Sequence, residues 1–255
     1  QQMFPGFYES KRFGLDLFKA QVSTFAPTDD GLVPDTYRLG VGDELNVQLY
    51  GKDNEQFVLQ VGRSGEINFP KLGAFTVAGL TFDDAKAFIK TRVEEQFIGV
   101  SAVVTMGRLR AINVFIAGEV AIPGAYSVSA LTTVTQALFQ AGGITEIGAL
   151  RSIEVRREGR LIGTFDAYDL LLRGDMTGDI RLSSGDVVFV PAMDAVVEVT
   201  GAVRRAKLFE VLGDETLEDV IFMAGGFEPS AFKAESVLYR FDGESGLGQA
   251  MTLDL

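Results

Sequence analysis

VFIAGEVAIPGAYSVSALTTVTQALFQAGG, residues 114–143, is written a second time without a gap as residues 197–226. Gly118 and Gly201, Tyr126 and Phe209, and the pairs Gly142-Gly143 and Gly225-Gly226 all stand 83 positions apart, and nine of the thirty positions are identical. Within each copy the apolar period changes once. Val114, Ile116 and Gly118 alternate with Phe115 and Ala117, and a turn at Pro123-Gly124 leads to Tyr126 and Val128, which predicts two short strands. Helical spacing follows: Thr133 with Gln136 three residues later forms a capping box, and Val134, Ala137, Leu138 and Ala141 fall on one face. The second copy keeps this plan with Thr216, Leu217, Val220, Ile221 and Ala224, and a glycine pair ends both helices, where the chain leaves through a left-handed conformation. Further strands are expected at residues 153–157 and 186–190, giving a small sheet that grips one helix. Tandem copies of such a unit argue for assembly or binding before catalysis.

Working outward, 255 residues at 47% hydrophobic content suit two or three cores better than one. No run of 18 apolar residues occurs, so no helix spanning a membrane is expected. A net charge of −12 argues against broad binding to nucleic acid or an anionic membrane surface, both of which need basic surface to displace counterions. With no Cys and no His, the chain has no thiol nucleophile, no thiolate metal site and no imidazole base. Any catalysis would fall to Asp, Glu, Lys, Ser or Tyr. The start at Gln1 reads as a processed or trimmed terminus rather than a signal peptide.

Residues 1–34 are read as an arm and linker. Phe4, Phe7, Tyr8, Phe13, Leu15, Leu17 and Phe18 are too apolar for a solvated tail, so the arm is expected to dock on its own chain or a neighbour, and residues 26–34 form a linker or turn. From Tyr37, the Gly42-Asp43 turn delivers Leu45, Val47 and Leu49 in alternation, a half-buried strand. Strands at 58–61 and 67–69 follow, the latter ended by Pro70. Thr81 then caps a helix with Phe82, Ala85, Ile89 and Val93 on its apolar stripe and Asp83-Asp84 in its first turn. A strand at 100–106 closes the unit.

The succession YRLGVGDELNVQLYG (37–51), VGRSGEINFPKLG (61–73), VAGLT (77–81), VVTM (103–106) and VFIAGEVAIPGAYSV (114–128) resembles the outer-membrane polysaccharide export proteins of Gram-negative bacteria, the Wza-like family. The resemblance runs from Tyr37 to about Phe241. It implies an α+β, multi-domain chain: a small mixed-sheet export domain (35–110), then tandem β-grasp modules of the SLBB type (111–193 and 194–255). It also implies a periplasmic part of an outer-membrane protein, a homo-oligomeric ring through which capsular polysaccharide or exopolysaccharide leaves the cell, and an inner-membrane polysaccharide copolymerase as partner. Two departures stand against the family pattern: neither its lipidated N-terminal cysteine nor its C-terminal amphipathic helix is seen here. The first module ends near Val190, whose counterpart at offset 83 is position 273, so the second module is expected to lack its final strand within these 255 residues.

Individual features mostly read as structure. Gly42-Asp43 and Gly185-Asp186 each precede an apolar strand and are read as aspartate-capped turns. Tyr126 and Phe209 are read as core or interface aromatics ahead of sugar-stacking platforms. Arg151, Arg156, Arg157 and Arg160 beside Glu154 and Glu158 are read as alternating charges on a solvated hairpin, ahead of contacts to acidic sugars. Arg204-Arg205 with Lys207 is read as a basic loop tip. Asp83-Asp84 and Glu94-Glu95 are neighbours on a helix and point apart, unlike a glycosidase pair. Gly40 and Gly42 lead into a strand, so they offer no phosphate cradle. No catalytic, cofactor-binding or metal-binding residue is assigned, and ligand-binding residues stay unassigned. The leading reading is a translocation component without chemistry. A soluble saccharide-binding or small-ligand-binding β-grasp protein is the alternative, and a polysaccharide-modifying enzyme stands third.

Overall fold

A computed structural model describes residues 11–19, 32–52, 54–241 and 248–253. A short helix, α1 (Asp16–Lys19), opens the described chain. The first sheet has the order β2-β1-β5, built from β1 (Glu44–Gly51), β2 (Gln56–Gln60) and β5 (Val100–Met106), all antiparallel. Alternation on β1 turns Leu45, Val47 and Leu49 inward, and the expected stripe on α2 (Phe82–Gln96) covers them with Phe82, Ala85, Ile89 and Val93. The cap at Thr81 forms as expected: the Asp84 N–H donates to Thr81 Oγ1 at 3.1 Å. Between them β3 (Glu66–Phe69) pairs with β4 (Gly73–Thr76). Sequence periodicity does not reveal β4, because of its four residues three are exposed and one is half-buried. Its turn also depends on Lys71 at φ 71°, a conformation that a lysine does not advertise.

The first repeat is a five-stranded sheet, β7-β6-β10-β8-β9, over one helix. Its strands are β6 (Ala111–Gly118), β7 (Gly124–Ser129), β8 (Ile153–Arg157), β9 (Arg160–Phe165) and β10 (Val187–Val190), with α3 (Val134–Gln140) burying Val134, Ala137 and Leu138. The last strand, β10, runs parallel to β6 and antiparallel to β8, so it closes the sheet between the two hairpins. The Thr133 N–H donates to Gln136 Oε1 at 3.1 Å at the start of α3, and Gly142 and Gly143 leave its end at φ 79° and 89°. A single π-helical turn at Asp169–Arg173, which periodicity did not suggest, precedes the approach to β10.

The second repeat reproduces the plan with β11 (Ala195–Val199), β12 (Lys207–Val211), α4 (Leu217–Met223), β13 (Ser236–Phe241) and β14 (Gly248–Leu253). Here the two hairpins form separate two-stranded sheets, and among the described residues no strand lies between β11 and β13.

Part of the N-terminal arm docks on its own chain, as its apolar content suggested. Leu15 and Phe18 are buried, Phe13 packs on Phe209 and Tyr168, and Phe18 packs on Phe139. Gly143 must lack a side chain at this contact, since a Cβ would stand 2.6 Å from the Phe18 carbonyl oxygen. Phe4, Phe7, Tyr8 and residues 26–31 of the expected linker lie outside the described residues.

Candidate functional site

Two buried polar clusters tie the units together, and both grow from residues that read as something simpler in the sequence. Asp43 does cap its turn, accepting the Gly40 N–H at 2.8 Å. It also accepts the Arg110 N–H at 2.8 Å, the Arg110 guanidinium at 2.5 Å and the Tyr37 hydroxyl at 2.9 Å, with no solvent exposure of its own. Arg110 directly precedes β6, so this ion pair locks the first sheet to the first repeat. A Cβ on Gly40 would meet the Arg110 guanidinium at 2.7 Å, so a larger residue there would shift that side chain from its place against Asp43.

Asp186 shows the same arrangement within the first repeat. It accepts the Ser183 N–H at 2.7 Å as a turn cap, and takes both the Arg157 Nε (2.7 Å) and Nη2 (2.9 Å) in a two-pronged pair. Bonding to Asp186 raises the Arg157 pKa. The reading of four arginines on one solvated hairpin is therefore corrected. Arg156 does pair with Glu154 on the exposed hairpin face at 2.6 Å, but Arg157 anchors β10 and Arg151 lies buried away from the hairpin.

Arg151 belongs to the larger cluster, between the two repeats. Its Nε donates to Asp166 at 3.1 Å and its Nη1 donates to the Glu210 carbonyl at 3.2 Å and to the Glu215 carboxylate, while its guanidinium stacks over the Tyr168 ring at 4.8 Å. Glu210, on β12 of the second repeat, accepts the Leu150 N–H of the first repeat at 2.8 Å. The same carboxylate oxygen takes Arg12 of the arm at 2.7 Å, with side-chain exposures of 5% and 3%. Arg12 further donates to the carbonyls of Glu146 (2.9 Å) and Gly148 (2.6 Å), and the Phe13 N–H bonds Leu208 O at 2.8 Å, pairing arm and β12. Arm, first repeat and second repeat thus meet at one carboxylate.

Burial raises the Asp166 pKa despite the opposing Arg151 charge. Arg151 loses affinity for its proton through burial, yet Glu215 and Asp166 together carry its pKa above the usual value. Burial first, and the Glu210 charge second among the raising causes, push the Tyr168 phenol up to about 12, against the pull of the Glu210 N–H it accepts. Tyr37 is raised in the same direction by burial and then by Asp43. A phenol whose folded pKa lies above its unfolded value of 10 contributes stability that is complete below pH 10 and lost as pH rises through the folded value. Unfolding free energy is therefore expected to fall between pH 10 and about 12. Tyr37→Phe and Tyr168→Phe should each flatten that slope. An unfolding free energy that stayed level from pH 10 to about 12 would contradict this.

The remaining candidates fall into place around these clusters. Phe209 is fully buried against Phe13, whereas Tyr126 is half-buried with its hydroxyl donating to Ile122 O at 2.5 Å. In the basic loop Arg205 lies over the Phe13 ring at 5.3 Å, so it holds the arm, while Arg204 is exposed. Asp84 bonds Thr81, Asp83 pairs with Lys86 at 3.3 Å and Glu94 accepts the Ser101 hydroxyl at 3.2 Å, so these carboxylates do not converge. Sequence reading missed Arg12, Glu210 and Tyr168 altogether. The one available signal was Glu210, an acid on a strand between the apolar Phe209 and Val211.

A family model described as polysaccharide biosynthesis/export protein matches residues 32–107, and the SLBB domain model matches residues 113–165 and 196–251. The polysialic acid transport protein KpsD of Escherichia coli is 30% identical over 203 residues, covering 79% of this chain and 36% of that protein. The EPS I polysaccharide export outer membrane protein EpsA of Ralstonia nicotianae is 27% identical over 254 residues, covering 84% of this chain and 66% of that protein. The chain thus spans about a third of the length of KpsD. No described helix is long and apolar enough to cross a membrane.

Proposed function

Since this chain belongs to the polysaccharide biosynthesis/export family, with its export domain and two SLBB domains in order, we propose that it is the periplasmic part of an outer-membrane protein that exports capsular polysaccharide or exopolysaccharide. The units at 35–110, 111–193 and 194–255 act as one stack within an oligomeric ring and pass polysaccharide without chemistry, fed by an inner-membrane copolymerase. The observation that carries this reading is the double lock: Asp43 with Arg110 joins the export domain to the first repeat, and Glu210 joins the second repeat to Arg12 of the arm and Leu150 of the first repeat. A ring wall needs units held to one another in this way, because subunit contacts close a ring only when the angle between neighbours is fixed. On the outer face of the β2-β1-β5 sheet Val58 and Val103 stand exposed on the strands that flank Asn46 and Gln48, and the reading sets a neighbouring subunit against this mixed face.

Light scattering on the full-length, detergent-extracted protein tests the reading. A discrete oligomer of uniform mass that vanishes when Val58 and Val103 are both changed to Glu is expected. A full-length monomer that binds oligosaccharide saturably would instead make this a soluble binding protein.

A further inference from the structure

The two repeats share a seat for an aromatic side chain, and the arm fills one copy of it. In the first repeat Phe18 of α1 packs on Phe139 near the end of α3, with ring centroids 5.4 Å apart, and is 3% exposed. Its backbone presses on the glycine exit: a Cβ on Gly143 would lie 2.6 Å from Phe18 O and 2.9 Å from Phe18 Cβ. Counting 83 residues on, Leu138, Phe139 and Gly143 become Ile221, Phe222 and Gly226. There Phe222 is 54% exposed, Ile221 is half-buried where Leu138 is fully buried, and a Cβ on Gly226 would meet nothing within 4 Å. This second seat is a pocket of about 450 Å³ lined by Leu172 of the first repeat and by Arg205, Glu218, Ile221, Phe222, Gly225 and Gly226 of the second.

The register of the arm determines what reaches it. Arg12 and Leu208 form a parallel bridge, in which the Leu208 N–H donates to Lys11 O at 3.4 Å and the Phe13 N–H donates to Leu208 O at 2.8 Å. Because the arm runs parallel to β12, the residues before Lys11 head back along those before Leu208, toward the 204–206 loop. That loop is fastened to the pocket: the Arg204 N–H donates to Gly226 O at 3.1 Å and the Arg205 N–H to Ala224 O at 2.8 Å. Carried on one for one, the register sets Glu9 beside Arg205. Extended residues alternate, so Glu9 and Phe7 share a side with Phe13, whose ring Arg205 already covers at 5.3 Å. Charge agrees, since among the described residues Arg204, Arg205 and Lys207 have no carboxylate partner.

We propose that residues 7–9 of the same chain, Phe-Tyr-Glu, dock in this pocket. The Phe7 ring sits on Phe222 as Phe18 sits on Phe139, and the Glu9 carboxylate pairs with Arg205. The arm then clamps both repeats through equivalent seats, one aromatic at each helix end with Phe13 between them. The inference rests on the repeat geometry and stands apart from the export reading.

The chain contains no Trp, so Phe222→Trp places a single reporter in the seat. In the 255-residue protein its emission is expected to be blue-shifted and shielded from acrylamide. Adding Phe7→Ala should abolish both effects, Phe7→Leu should keep most of them, and Phe4→Ala should leave them unchanged. A peptide of residues 4–10, added to the Phe7→Ala reporter protein, should restore the shift saturably, and the same peptide with Glu9→Gln should bind about threefold more weakly. Emission indifferent to Phe7→Ala, or equally sensitive to Phe4→Ala, overturns the site. The chain also contains no Cys, which allows the source to be tested. On mild oxidation Phe7→Cys with Phe222→Cys should close a disulfide within one chain, while Phe7→Cys with Ile98→Cys, an exposed position after α2, should stay open. If the first pair instead yields disulfide-linked dimers, the occupant is a second copy's segment and the assignment to the same chain fails.

Discussion

Glu210→Ala is expected to cost about 3–5 kcal/mol, because it strands a buried cation. Arg12 and Glu210 are both nearly solvent-free, and the removed carboxylate oxygen is also the acceptor for the Leu150 N–H. The change therefore leaves an uncompensated guanidinium and an unpaired amide inside the protein. Arg12 keeps its two carbonyl acceptors, Glu146 and Gly148, but neutral acceptors do not balance a charge withdrawn from water. Replacing both partners, Glu210→Leu with Arg12→Met, is expected to recover most of the loss, since an apolar pair of similar size carries no desolvation cost. The loss should be local as well as global. Hydrogen exchange at residues 207–211 should accelerate far more in Glu210→Ala than at β1, because the arm and β12 share this anchor and β1 does not. Denaturant unfolding combined with exchange measures both. A single variant costing under about 1 kcal/mol, or a double variant as damaging as the single, would mean that the carboxylate is solvated in solution.

Gly118→Ala and Gly201→Ala should differ although the two glycines are repeat counterparts with nearly the same backbone, φ 86° and 88°. The left-handed conformation costs any alanine about 1–2 kcal/mol, so both variants carry that term. At Gly118 the new methyl must also displace Val190 O at 2.0 Å and Val190 C at 2.8 Å, both backbone atoms that a rotamer change cannot move. The response available is to push β10 away from β6, which breaks parallel pairing at Val190↔Gly118 and opens the fully buried Val190. We expect a further cost of roughly 2–3 kcal/mol there. At Gly201 the space is open. Equilibrium unfolding of the two variants decides the matter, and equal costs would contradict the difference in close approach.

Much of this architecture was legible because it depends on neighbours in sequence. The Leu45, Val47, Leu49 alternation, the Thr81 cap and the Phe82 to Val93 stripe involve residues within a few positions of one another, and all three form. The turn roles of Asp43 and Asp186 were legible for the same reason. Their second roles were not, because Arg110 lies 67 residues from Asp43 and Arg157 lies 29 from Asp186. An arginine on a hairpin looks alike whether it faces water, as Arg156 does, or a carboxylate at the end of another strand, as Arg157 does. Strand β4 stayed hidden for a different reason: with no fully buried side chain it has no apolar period to read.

By itself the sequence determined the repeat, its 83-residue spacing, the helix caps and the glycine exits, since each follows from local backbone preference and the period of apolar residues. Only the tertiary structure decided what joins the units. The bond between Arg12 and Glu210 spans 198 positions, and the arm that carries Arg12 has no regular period to announce where it docks. Such a pairing depends on which surfaces exclude water together, and that is settled only once β12, the arm and the loop at Leu150 have been brought into contact.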